Sequence, residues 1–380
     1  MPNKQRNGLN GKSLDRIILK EVSFDLFLSR DLLEKWLDIL PKIRKEDPDH
    51  PEWKPTPVRK INLVQFGYDV VVYVKDESEN PTGTFKDRKA WELGPINTRI
   101  FAENVWRLYS KRNLPKIRIP RLDEITMGNS GGAQAAMNER YDLPPPKLLI
   151  DTGTPDEQKK SLLTLRADIY AVDLSRNIFT GGREPYTPEQ IRILTNNAQG
   201  HDITSTHIIQ PHRDYYDWHV HESFNVKPDT IFIPFGSGEL LANYLTWQRI
   251  TAVNAARHEK DIRLNAKPED VLKINICAAG PRATMNSCAD KLTGPKPFLY
   301  YTDNDIDWLI DMQCTGARTG IYSLSEEEIK LGHNILTLSG IKTEYSAASS
   351  LGLCLQMLEK GRIHKKEKIL IVNTGKGKYS

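Results

Sequence analysis

The chain has 380 residues, 39% of them hydrophobic, enough to bury the cores of two or three domains; two lobes around one site is the simplest division. A formal net charge of +4, with both signs interspersed and no basic stripe between aromatics, argues against a nucleic-acid partner. Cys277, Cys288, Cys314 and Cys354 form no CxxC, no run is long enough to span a membrane, and the N-terminus has no apolar leader core, so a reduced, cytoplasmic protein without a membrane partner is expected.

Residues 1–12 are polar and rich in Gly and Asn. Leu28, Leu32, Leu33, Trp36, Ile39 and Leu40 then recur at helical spacing and stop at Pro41 and the Asp47-Pro48 turn, which predicts one packing or dimer-contact helix in an N-terminal extension over 1–50. Pro55-Thr56-Pro57 stiffens an extended entry into the main body. Tyr68 to Val74 reads as a buried strand, Asn80-Pro81-Thr82-Gly83 as a turn, and Lys86 as the start of a helix reaching Trp91. That order places the Lys86 ammonium at the mouth of a sheet where backbone N–H groups converge. Desolvation favours the free amine of a lysine so held, and a free amine attacks a carbonyl to form a Schiff base. The plain alternative is a solvated charge in a turn.

Residues 97–109 form an amphipathic helical patch, followed by an extended link over 115–120. Ile125 leads through Thr126, Met127, Gly128, Asn129, Ser130, Gly131 and Gly132 into a helix expected near Ala133. Small residues there let amides approach an anion, and the helix dipole favours a carboxylate; taken alone, the stretch reads better as a Gly-rich turn with Asn129 at left-handed φ. Leu148–Ile150, Lys159–Ala167 and Ile169–Val172 read as strand, helix, strand, an α/β repeat, and Thr187-Pro188 starts a helix reaching Ala198.

Five of the nine histidines fall between His201 and His221. The spacing of His207, His212, His219 and His221 matches no zinc motif, and Asp214, Asp217 and Glu222 complete no ligand set, so no metal is expected. Ile231 to Phe235 reads as a buried strand, Gly236-Ser237-Gly238 as its turn, and Leu240 onward as a helix; the unit offers a nest of N–H donors suited to a phosphate. It lacks the third glycine of GxGxxG and the GK[ST] of a P-loop. Leu272–Ala278 is a further core strand, Glu344–Leu353 a helix with a small-residue face, and Ile369–Val372 a last strand ending in Asn373-Thr374-Gly375-Lys376-Gly377.

Pro55-Thr56-Pro57, Asn80 to Arg88, Thr126 to Ala133, Ile231 to Ala242 and Ile369 to Gly377, taken in order, resemble the fold type II pyridoxal-phosphate (PLP) enzymes, the tryptophan synthase β-subunit superfamily. The window Asn80-Pro-Thr-Gly-Thr-Phe-Lys-Asp-Arg88 most resembles threonine synthase. The resemblance implies a two-lobed α/β fold, each lobe a mainly parallel twisted sheet flanked by helices, with the cofactor in the cleft between. A large cofactor-binding domain would comprise 51–90 and 185–380, and a small mobile domain 91–184. It further implies pyridoxal 5'-phosphate on Lys86, Asn129 at its phenolic oxygen, Gly236, Ser237, Gly238, Glu239 and Leu240 around its phosphate, and Thr374 at its ring nitrogen. Thr126, Gly128, Ser130 and Gly131 would hold the substrate carboxylate, Glu344 would open the helix behind the cofactor, and the assembly would be a homodimer.

Three departures stand out. Met127 occupies a position where the family usually has serine, residues 94–121 look like an insertion, and Glu239 replaces a glycine. Because a carboxylate repels a phosphate, the Glu239 side chain is expected to point away along its helix.

A neutral hydroxyl at the ring nitrogen suits removal of an α-proton coupled to prompt loss of a β or γ substituent, with Lys86 as general base and acid. The implied function is a lyase or synthase acting by elimination or replacement at Cβ or Cγ of a small amino acid, threonine synthase-like. Cysteine synthase-like or threonine dehydratase-like chemistry is the alternative, and a non-catalytic binding or regulatory descendant a third. A phosphohomoserine substrate would need a second phosphate site, for which Arg88, Arg183, Arg213 and Lys376 are neighbours of the motifs.

Overall fold

The computed structural model describes residues 16–22, 27–44, 46–47, 49–50, 53–204, 214–259, 261, 263–282, 287–293, 317–364 and 366–377. Two sheets organise them. The smaller contains β1 (Ile17–Lys20), β4 (Leu122–Ile125), β5 (Lys147–Asp151), β6 (Asp168–Val172) and β7 (His201–Asp202), in the order β1-β6-β5-β4-β7. The larger contains β2 (Val58–Asn62), β3 (Val71–Asp76), β8 (Thr230–Pro234), β9 (Asn275–Pro281), β10 (Gly320–Leu324) and β11 (Ile369–Asn373), in the order β10-β9-β8-β11-β3-β2. Only the edge strands β1 and β2 run antiparallel to their neighbours in these sheets.

The central strands β8 and β11 are buried along their whole length, which explains their continuous apolar runs. Helices α10 (Glu326–Leu338) and α11 (Tyr345–Glu359) cover one face of the larger sheet; α7 (Asp217–Phe224) and α8 (Glu239–Ala256) cover the other. Apolar helical stripes and sheet faces each need such a partner layer.

Helix α1 (Arg30–Ile39) begins at Ser29, whose hydroxyl accepts from the Leu32 amide, and buries Leu33 and Trp36. It packs within its own chain, against Ala102, Val105 and Met137. Residues 86–109 form one helical run: α2 (Lys86–Trp91) passes through a wide π turn at Glu92–Ile96 into α3 (Asn97–Tyr109). The stretch that looks like an insertion thus begins as the continuation of the lysine helix. The smaller sheet also reaches beyond the expected 91–184 boundary. β1 joins one edge and β7 the other, and the Thr195 hydroxyl ties the intervening segment to Asp123 at 2.6 Å.

Candidate active site

Four segments converge where strands of both sheets end at their carboxyl ends, the usual crevice of open α/β sheets. After β3, the turn over 80–85 leads into α2. After β11, Thr374 begins the C-terminal strip. The two are fastened together: the Phe85 amide donates to the Thr374 carbonyl at 2.9 Å, the Lys376 amide donates to the Gly83 carbonyl at 3.0 Å, and Thr84 bridges to Gly375. Asp87, fully buried, accepts from the Thr82 amide at 2.7 Å and from the Thr82 hydroxyl, closing the turn from the helix side. Lys86, first residue of α2, is therefore held at the sheet mouth beside Thr374.

After β4, the turn through Gly128 opens helix α4 (Asn129–Arg140), which starts at Asn129 rather than near Ala133. Gly128 has φ +127°, a backbone conformation that a side chain would strain. The Thr126 hydroxyl oxygen accepts from the amides of Gly128 at 3.0 Å and Gly131 at 2.9 Å, which fixes the turn. Gly131 lies behind the cleft wall, whereas Thr126, Gly128, Asn129 and Ser130 line it. Met127 lines it too, leaning on the apolar cluster of the smaller sheet.

After β8, Gly236-Ser237-Gly238 turns into α8, with Gly238 left-handed at φ +81° as its N-cap. A Cβ on Gly236 would meet the Lys291 carbonyl and Leu292 at 3.3 Å, so the turn is drawn in close. Gly236, Ser237, Gly238, Glu239, Leu240 and Thr374 all border the same cleft as Lys86.

The Glu239 expectation is overturned. Its carboxylate points into the cleft and pairs with Lys86 Nζ at 3.0 Å and Lys89 Nζ at 3.6 Å, while Tyr215 donates to it at 3.4 Å. Two lysine ammoniums one helical turn apart outweigh the expected anion repulsion and draw the side chain inward. Lys89 reaches on to Glu124 at 3.6 Å, and Glu124 accepts from the Ser130 hydroxyl. Glu124 is 2% exposed, and burial raises its carboxyl pKa. Its Oε2 has no hydrogen-bond partner among the described residues. Asn129 Nδ2 donates to Glu344 at 2.8 Å, and burial pushes the Glu344 carboxyl up to about 7.

Sequence reasoning missed Lys89 and Glu124, although both were legible. Lys89 follows Lys86 by three residues, hence shares its helix face; Glu124 precedes Thr126 by two, at the end of the strand that leads into the turn.

Other candidates stand elsewhere. Arg88 turns to the far side of α2, bonding Glu77 and Glu222 at 2.8 Å each. Thr56, between the two prolines, donates to Glu77 in that same buried cluster. Arg183 is exposed, and Arg213, His207 and His212 lie outside the described residues. His219 faces Glu77 and Tyr244, and His221 faces the Asp217 carbonyl and Asp261.

The fold and cleft are those of fold type II PLP enzymes. A family model described as pyridoxal-phosphate dependent enzyme matches residues 50–375, and the chain belongs to that family. Threonine deaminase isoform 2 from Solanum lycopersicum is similar in structure at 15% identity, covering 95% of this chain and 96% of that one, with a TM-score of 0.56. A hydrogen sulfide-producing enzyme from Fusobacterium nucleatum is similar at 16% identity, covering 85% and 96%, with a TM-score of 0.57. Serine racemase from Dictyostelium discoideum is similar at 17% identity, covering 91% and 98%, with a TM-score of 0.54. No curated protein matches at comparable significance.

The residues present fit the cofactor. One cleft offers an amine, a close-drawn glycine turn at the N-terminus of an 18-residue helix, a hydroxyl at a strand end and an amide side chain. The protein is a PLP-dependent enzyme.

Proposed function

We propose that the protein is a lyase or synthase acting by elimination or replacement at Cβ or Cγ of a small amino acid, with Lys86 carrying the cofactor. The observation that carries this reading is the fastening of the Lys86 turn to the Thr374 strip, which puts amine and hydroxyl in one cleft with Asn129 and the Gly236–Gly238 turn. When bound, PLP withdraws electrons from the substrate Cα, and a threonine hydroxyl at its ring nitrogen suits prompt loss of a neighbouring substituent. Lys86 Nζ is the group that takes and returns the proton at Cα. Thr126 keeps the 128–131 turn open for the substrate carboxylate. Asn129, oriented by Glu344, would meet the cofactor's phenolic oxygen.

Within this class, serine-type chemistry at Cβ is favoured over a threonine synthase-like reaction on a phosphorylated substrate. Arg88 is committed behind α2 and Arg183 is exposed. Among the described residues, each lysine bordering the cleft already faces a carboxylate: Lys86 and Lys89 face Glu239, and Lys291 faces Asp290 at 2.5 Å.

The test is absorbance of the lysine-bound cofactor in purified protein, followed by incubation with serine, threonine and their O-acetylated and O-phosphorylated relatives. Wild type should show the band and a substrate-dependent shift, and Lys86→Ala neither. A band that persists in Lys86→Ala contradicts the assignment.

A further inference from the structure

We infer that the cleft selects amino acids whose Cβ carries a hydrogen-bond donor, a hydroxyl or an amino group, and that Glu124 is the specificity-determining residue. This rests on the reading of Lys86 as the cofactor lysine and narrows the substrate class of that same site.

Glu124 borders the cleft at 2% exposure, with Oε1 accepting from Ser130 and Oε2 without a hydrogen-bond partner among the described residues. A buried carboxylate oxygen left unmatched is costly, and a donor on a bound molecule removes that cost. Lys89 does not supply the missing bond, because its ammonium stands 3.6 Å from the other oxygen, Oε1.

Glu124 lies in β4 two residues before Thr126, which follows the end of that strand, and is hydrogen-bonded to Ser130, so it adjoins the turn assigned to the substrate carboxylate. A substituent one carbon from Cα comes within reach of such a neighbour. The Ser130 hydroxyl, whose hydrogen is given to Glu124, has no proton left to donate to an anionic substituent.

Lys89 is shared between two carboxylates, standing 3.6 Å from Glu124 and 3.6 Å from Glu239. The cofactor phosphate would add further negative charge. A phosphate or carboxylate on the substrate's Cβ would enter a field of its own sign, whereas a hydroxyl or ammonium gains an acceptor.

The test compares PLP-loaded wild type, Glu124→Gln and Lys89→Met on L-serine and 2,3-diaminopropionate against O-phospho-L-serine and L-aspartate, read as ratios of kcat/KM. Wild type should prefer the donor-bearing pair by at least about tenfold, and Glu124→Gln should lose most of that preference while keeping the cofactor band. Lys89→Met removes the shared cation and should move the ratio the opposite way, which a fold defect in either variant would not do. A loaded wild type that prefers O-phospho-L-serine, turns over no donor-bearing substrate, or keeps its ratio in both variants overturns the inference. Absence of a lysine-bound cofactor in wild type overturns the underlying reading as well, and the absorbance band distinguishes the two failures.

Discussion

Glu239, the first residue of α8, forms an ion pair with Lys86, the first residue of α2, at 3.0 Å. A carboxylate at the Gly236–Gly238 turn thus engages the candidate cofactor lysine itself, and Lys89 stands 3.6 Å from its other oxygen.

Cofactor affinity should respond to that triad. Glu239→Gln removes the charge that opposes a phosphate, and PLP should bind several-fold tighter. Lys89→Met should weaken binding by a similar factor. The double variant should depart from additivity by about 1 kcal/mol, as neighbouring charges do. Titration with PLP, followed by absorbance, gives all four values.

Thr374→Ala should weaken cofactor retention by about 1 kcal/mol, the net worth of one hydrogen bond, and leave the fold intact. The contact that zips the lysine turn to this residue is made by its backbone carbonyl, which the substitution keeps. Equilibrium dialysis of PLP beside a thermal melt separates the two effects.

Beneath α2, Glu77 is fully buried between Arg88, Lys75 and His219, and Glu222 completes the cluster. Arg88→Met should cost about 3–5 kcal/mol, because it strands buried carboxylates. Burial works to raise both carboxyls, but the cationic neighbours, Arg88 foremost, hold Glu77 well below its usual range and Glu222 at about 2. Carboxylates with depressed pKa contribute stability above the unfolded value of about 4.5 and lose it as pH falls toward 2. Urea midpoints measured down through that window should drop steeply in wild type.

Glu344 has the opposite sign. Its folded pKa of about 7, raised by burial, lies above the unfolded value near 4.5. Its contribution is fully present below about 4.5 and is lost as pH rises through 7. Glu344→Gln keeps an acceptor for Asn129 and should flatten the stability profile between those limits, becoming the more stable protein at pH 8. Paired urea titrations across the range check it.

The sequence shows the order of strand, turn and helix around Lys86 because the apolar runs and turn residues are local signals. The cleft follows from the same signals, since each motif ends a buried strand. The charge arrangement inside does not. Whether Glu239 points away or inward depends on Lys86 and Lys89, brought to it from a distant part of the chain. Likewise 94–121 reads as an insertion when only motif spacing is counted, yet it opens with helix that continues through a π turn and packs on α1. Long-range pairing of this kind leaves no trace in periodicity.

The central claim is the chemistry of one amine among several in the same cleft. Reducing PLP-loaded protein with borohydride and mapping the modified peptide by mass spectrometry tests it directly. A pyridoxyl group on Lys86 is expected. Modification of Lys89 instead, or of neither lysine, would contradict it.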